Sequence, residues 1–390
     1  MKNSLFGRRV FVSLALVMFL FIAPFKAAGA RSLEAKPGEQ RTITGYELIG
    51  TVNFPTGYIF EGTEVGGLSS ITYDKWRGVY YALSDDQSQI NPARFYTLEI
   101  DLDDGRLDPG DILFTGVTTL LDETGQPYAP GSLDLEGLVM PKPGFLVVST
   151  EGSSLASPPI NPFINFYHLR GNFAKAMPVP EKFLPIEGVQ GVRFNLGFES
   201  LNVSPDRRYL YTAAEGALVQ DGPAADVGVP SNARIIQYSL SQMRPLSEYV
   251  YQVNPVPDVP EPPSAFRVNG LVELLPLDNF GTMLAMERAF SVGAGNTVHL
   301  YQIQLQGATD VSGDYALPES FVPVDKQFLL DVQTDLGIVP DNLEGMAFGP
   351  PLPDGRLPLV LVSDNNFDPA AVTQFIVLAV TLEPAGRSSP

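Results

Sequence analysis

The sequence predicts an all-β chain closed into a β-propeller, and three observations carry that prediction. A unit of about 63 to 75 residues recurs five times, with starts at Gly67, Gly137, Ser200, Gly270 and Gly345. Each unit runs through a Gly-Leu-like start, a short strand, a turn rich in Pro, Asp and Gly, and a second, apolar strand. No long stretch of 3.6-residue periodicity follows the N-terminal segment, which disfavours alternating helices and strands.

The elements follow in order. The paired strands read as "GGLSSITYDKWRGVYYALSDD" from Gly66, "LEGLVMPKPGFLVVSTEG" from Leu135 and "FESLNVSPDRRYLYTAAEG" from Phe198. The fourth and fifth are "VNGLVELLPLDNFGTMLAMERAF" from Val268 and "NLEGMAFGPPLPDGRLPLVLVSDNNF" from Asn342. The second strands ("YYAL", "FLVV", "PLVLV") are apolar on both faces, as a sheet covered on each side by another sheet requires. A third strand follows each pair: "ARFYTLEIDL", "NFYHLRG", "ARIIQYSL", "VHLYQIQL" and "TQFIVLAVTL". "DILFTGVTTLLD", "AMPVPEKFLPI", "LSEYVYQV" and "KQFLLDVQ" supply a fourth strand to units one to four. The fifth unit has no room for its own, and the N-terminal "YELIGTVNFP" closes the ring. Five visible units imply five blades, with a degenerate sixth in the long insertions as the alternative.

The N-terminal segment has the order of a secretory signal. "MKNSLFGRR" is basic, "VFVSLALVMFLFIAPF" is apolar, and "AAGA" places Ala28 and Ala30 at an A-x-A cleavage position. Residues 1–30 are therefore expected to be removed, with a retained anchor as the alternative, and 31–390 to form one exported domain, secreted or periplasmic. The chain holds no cysteine, so its stability rests on its core. The first 30 residues carry four basic and no acidic side chains, leaving 21 Lys/Arg against 44 Asp/Glu and a net charge near −23. Such acidity argues against nucleic acid and anionic lipid as partners. The expected partner is a small molecule, bound by a monomer.

Two acidic positions recur in register. One lies just before the first strand: Glu136, Glu199 and Glu344, replaced by Gly66 and Asn269 in the other units. The second follows the second strand: Asp85 with Asp86, Glu151, Glu215, Glu287 and Asp364. In an antiparallel pair the start of strand one neighbours the end of strand two, so both sets converge on one face of the disc. Clustered carboxylates repel unless protons or hard divalent cations neutralise them, and Ca²⁺ takes six to eight such oxygens. The competing reading is that acids simply favour the turns where apolar strands meet water. Arg193 and Arg288 lie beside these acids in sequence, and an arginine fork can hold a phosphate oxyanion that the cation also neutralises. Metal-assisted hydrolysis would then use these two arginines and Glu199 together with the cation. A G-x-S-x-G elbow and a Walker loop are both absent, and His168 and His299 read as sheet residues.

Over nearly all of its length after the leader, the sequence resembles the phytase-like family described as having esterase-like activity. "GGLSSITYDKWRGVYYALSDD", "RFNLGFESLNVSPDRRYLYTAAEG" and "PDNLEGMAFGPPLPDGRLPLVLVSDNNF" carry the resemblance. It implies a propeller related in architecture to calcium-dependent alkaline phytases, which are phosphomonoester hydrolases. The expectation is thus an exported Ca²⁺-dependent phosphoester hydrolase, possibly phytate-directed in substrate class. A non-catalytic calcium-stabilised propeller that binds a ligand or protein, and a metal-dependent carboxylester or lactone hydrolase, stay open beside it.

Overall fold

The computed structural model describes Met1 and residues 39–153, 155–156 and 158–386. The signal-peptide expectation falls outside them. Chain contacts divide the molecule into Met1–Glu34 and Ala35–Pro390, and all that follows concerns the second unit.

Five four-stranded antiparallel sheets form the blades. Blade one is Leu68–Asp74, Val79–Ser84, Arg94–Ile100 and Ile112–Thr119; blade two is Leu135–Lys142, Phe145–Thr150, Phe163–His168 and Phe173–Met177. Blade three is Phe198–Val203, Tyr209–Ala217, Ser231–Ser239 and Arg244–Val253; blade four is Arg267–Pro276, Thr282–Ser291, Gly295–Gln304 and Asp325–Asp331. Blade five takes Asn342–Phe348, Leu357–Asp364 and Val372–Pro384 from the C-terminus and Arg41–Pro55 from the N-terminus as its outermost strand. That last strand runs antiparallel along nearly the whole of its partner, from Arg41 opposite Pro384 to Pro55 opposite Val372. The five-blade expectation and the closure by the N-terminal strand both hold.

Each interface between neighbouring blades has its own apolar core, five in all. The alternation of a β-strand decides which side chain enters which core. In blade five, Val360 and Val362 pack toward blade one with Ile71 and Ala82, while Leu359 and Leu361 pack toward blade four with Leu284 and Met286. This is why second strands lack a polar face. Each fully buried Val, Leu or Phe contributes roughly 1.5–3 kcal/mol, so the ring needs no disulfide.

Turns at the far ends of the first pairs use left-handed residues. Gly78 has φ +71° at the end of the Asp74–Gly78 turn, where its N–H donates to the Asp74 carbonyl at 2.8 Å. The fourth strand of blade two ends at Met177, earlier than "AMPVPEKFLPI" suggested, because Pro178 and Pro180 have no N–H to continue the ladder.

Every first strand carries a register shift against its partner near its start: Leu68/Ser70, Leu135/Leu138, Phe198/Ser200, Leu271/Glu273 and Leu343/Gly345. This bulge aligns the blades and corrects the sequence register in two of them. The counterparts of Glu136, Glu199 and Glu344 are Ser69 in blade one and Val272 in blade four, not Gly66 and Asn269.

Candidate metal centre

The acids after the second strands are placed by one repeated backbone contact. The Asp85 N–H donates to the Gly67 carbonyl at 2.8 Å, Glu151 to Asp134 at 3.1 Å, and Glu215 to Gly197 at 2.8 Å. Glycine is required beside two of these side chains. A Cβ on Gly270 would sit 2.1 Å from Glu215 Oε1, and one on Gly197 would meet Glu151 Cβ at 2.3 Å. The acid of one blade is thus seated against a glycine at the entry of the next.

In blade four the equivalent position is Arg288. Leu271 pairs with Glu287 there, as Leu68 pairs with Ser84 and Leu343 with Ser363, so the residue one step further on is Arg288. The expectation that Glu287 joins the acidic face is therefore corrected. A slip of one residue along a strand turns a side chain to the opposite face, and Glu287 points into the interface with blade three. It accepts from the Tyr251 hydroxyl at 2.8 Å and Asn269 Nδ2 at 3.2 Å, and pairs with Lys326. Asp86 is corrected for the same reason. It pairs with buried Arg94 at 2.7 Å and accepts backbone N–H groups of Gln89, Ile90 and Asn91. Arg193 also leaves the site: its Nε donates to the Ala217 carbonyl at 3.0 Å and its Nη2 to that of Gly222 at 2.6 Å.

The remaining expected residues converge. Asp85, Glu136, Glu151, Glu199, Glu344, Asp364 and Arg288 all line one cavity of about 820 Å³, with Glu215 in contact just behind Arg288. The cavity lies within the usual size range of small-molecule sites. Arg288 Nη2 approaches Glu344 Oε1 at 2.9 Å and Glu215 Oε1 at 3.6 Å. Asn342 Nδ2 bridges Glu344 Oε1 at 2.8 Å and Asp364 Oδ2 at 3.2 Å.

Asp134, a cavity residue that the sequence reading passed over, completes the arrangement. Ligand oxygens of Asp134, Glu136 and Glu151 lie within 4.8 Å of one another. Asp134 directly precedes "LEG" in "SLDLEG", one residue outside the repeat window, and only Asn342 offers another side-chain oxygen at that position. Gln87 Nε2 donates to Asp134 Oδ2 at 2.7 Å, and the Gly197 N–H donates to Glu151 Oε2 at 2.9 Å. None of the ion pairs among the described residues involves Asp134, Glu136 or Glu151.

Crowding these carboxyls out of water raises their pKa values. Burial is the largest cause throughout, and neighbouring carboxylates add to it. Glu136 is held well above the usual range by burial and then by Glu199; Glu199 by burial and then by Glu215. Burial pushes Asp134 up to about 6, Glu215 to about 7 and Asp364 to about 8. Asp85 is raised by burial and by Asp364. Three buried polar atoms here have no hydrogen-bond partner: Asp85 Oδ1, Glu215 Oε1 and Arg288 Nε. Buried polar atoms left without a hydrogen bond are costly unless a ligand completes them. An all-oxygen donor set of this density suits a hard divalent cation.

With the site in view, the comparison with known families is decisive for membership. The profile described as "Phytase-like: Esterase-like activity of phytase" matches residues 63–367, more than half of the chain. The chain belongs to the phytase-like family. The match spans all five first-strand pairs of the propeller, and so every cavity carboxylate named above. No curated protein matches the chain. Among solved structures, a protein of unknown function from Dyadobacter fermentans DSM 18053 is similar at 10% identity and TM-score 0.38, covering 87% of this chain and 100% of that one. A GH43 β-1,3-galactosidase, solved with galactodeoxynojirimycin, is similar at 10% identity and TM-score 0.42, covering 83% and 94%. Likeness at this level says nothing about activity. Among the described residues of the phytase-like chain, no helix is long and apolar enough to cross a membrane.

Proposed function

We propose that this phytase-like protein is an exported, Ca²⁺-dependent hydrolase of phosphoesters. One observation supports it most directly: a carboxylate trio without a basic partner shares a cavity with a buried arginine that has an unpartnered Nε–H. Asp134, Glu136 and Glu151 would hold the cation, with Asp85 lining the same cavity as a further oxygen donor. Bound there, the cation supplies Lewis-acid charge to the ester oxygens.

The protein's own side chains supply the rest. Arg288 binds a phosphoryl oxygen from the cavity wall with its guanidinium, whose orientation Glu215 and Glu344 fix. Glu199, which lines the same cavity, accepts the proton of an attacking water in its carboxylate form. The water oxygen bonds to phosphorus as the ester P–O bond breaks, and the proton passes to the departing alkoxide. Phosphate and an alcohol leave the cavity.

The test is phosphate release from a chromogenic phosphomonoester by chelator-treated protein before and after Ca²⁺ is restored. Activity is expected only with Ca²⁺. Protein whose melting temperature responds to Ca²⁺ but which turns over no phosphoester would be a calcium-stabilised binding propeller instead.

A further inference from the structure

Blade four stands taller than its neighbours beside the acidic floor. The second strand of blade five ends at the ring acid itself, Asp364, whereas blade four continues past Arg288 to Ser291. Its first pair climbs from Gly270 opposite Arg288 through Asn269 opposite Ala289 to Val268 opposite Phe290. Residues two apart on a strand share a face, so Val268 and Phe290 stand directly above Arg288. The ring of Phe266 lies 6.1 Å from that of Phe290 and continues the same shelf. Phe266, Val268 and Phe290 line the cavity together with Val339 and Pro340 from the entry of blade five. Phe266 is 64% exposed and Val339 73% exposed, large values for side chains of this type.

The charge of the cavity restricts what this shelf can hold. Arg288 is the only basic side chain among the described lining residues, and Glu344 already engages it at 2.9 Å. A ligand bearing several phosphates would bring most of its charge against uncompensated carboxylates. One phosphoryl group, by contrast, is matched by Arg288 and the cation, which leaves the remainder of the ligand over Phe266 and Phe290.

We infer that the substrate is a monophosphate ester with an aromatic or otherwise apolar alcohol part, seated on Phe266, Val268, Phe290 and Val339. Multiply phosphorylated polyols are expected to be poor substrates. The inference rests on the hydrolase reading above, and its experiment separates the two. Binding of phenylphosphonate and methylphosphonate to the Ca²⁺-loaded full chain is measured by calorimetry, alongside turnover of 1-naphthyl phosphate, glycerol phosphate and inositol hexakisphosphate. Phenylphosphonate is expected to bind roughly tenfold more tightly than methylphosphonate, an ordinary return for one buried apolar group. 1-Naphthyl phosphate is expected to be the preferred substrate by a similar factor, with hexakisphosphate unturned. Phe266→Ala, at an exposed position that folding tolerates, should lower the naphthyl-to-glycerol ratio of kcat/KM several-fold through KM. Equal binding of the two phosphonates, or hexakisphosphate turnover matching that of the naphthyl ester, overturns the inference. Selective phenylphosphonate binding without turnover of any ester supports the apolar seat and overturns the hydrolase reading.

Discussion

The acidic face has two halves that solve the same electrostatic problem differently. On the side of blades three to five, Glu215 and Glu344 share a cation built into the chain, Arg288 at 3.6 Å and 2.9 Å. On the side of blade two, Asp134, Glu136 and Glu151 crowd within 4.8 Å with no basic partner. The ring position that holds Asp85, Glu151, Glu215 and Asp364 in the other four blades holds Arg288 in blade four. A single substitution in a repeat thus turns a symmetric ring into a site with a neutralised side and a side open to a metal.

The largest effect should come from removing the built-in cation. Arg288→Met leaves Glu215 and Glu344 buried beside each other without compensation, a loss of about 3–5 kcal/mol by analogy with other broken buried pairs. Urea unfolding checks it. Stability within 1 kcal/mol of wild type would show that the two halves do not differ in kind.

Next in size is the pH response of the metal-free protein. Asp134, Glu215 and Asp364 have folded pKa values of about 6, 7 and 8, raised mainly by burial, while Arg288 faces Glu215 and Glu344 and stays charged. The folded state therefore holds more protons than the unfolded chain between about pH 4 and pH 8, and stability falls as pH rises through that window. A drop of about 5 °C or more in melting temperature is expected, since 1 kcal/mol is worth roughly 2–4 °C in a chain of this size. Saturating Ca²⁺ should remove most of the fall. A melting temperature that rises from pH 4 to pH 8 without Ca²⁺ would contradict the crowding.

How far this was legible in the sequence depends on what each residue's neighbours are. The five interblade cores could be read because "PLVLV" and its counterparts have no polar alternation to satisfy. Glu136, Glu199 and Glu344 could be read because they stand in the bulge of three first strands. Blade four could not be aligned, because "VNGLVELL" offers Asn-Gly and Val-Glu in the same stretch and only strand pairing shows the longer ladder. That ambiguity put Glu287 on the wrong face. Arg193 sits close to Glu199 in sequence, but its donors are spent on backbone carbonyls that no sequence pattern announces.

A smaller effect should follow from Gly270→Ala. The added Cβ meets Glu215 Oε1 at 2.1 Å, with no unusual φ to confuse the result. Moving Glu215 away from Arg288 should cost about 1–3 kcal/mol and leave Ca²⁺ affinity on the opposite half nearly intact. Smallest in its effect on Ca²⁺ binding is Glu287→Gln, which lies off this face. The residue lies outside the cavity with Tyr251 and Lys326, so Ca²⁺ affinity should stay within about twofold while the melting temperature falls with the loss of the Lys326 pair.

The central claim is that the cation binds where the chain supplies no charge of its own. Ca²⁺ titration by calorimetry of wild type, Glu136→Gln and Glu287→Gln tests it without reference to any substrate. Glu136→Gln is expected to lose at least tenfold in Ca²⁺ affinity, about 1.4 kcal/mol, while melting at or above the metal-free wild type because one repelling carboxylate is gone. Unchanged affinity in Glu136→Gln, or an equal loss in Glu287→Gln, would contradict the account.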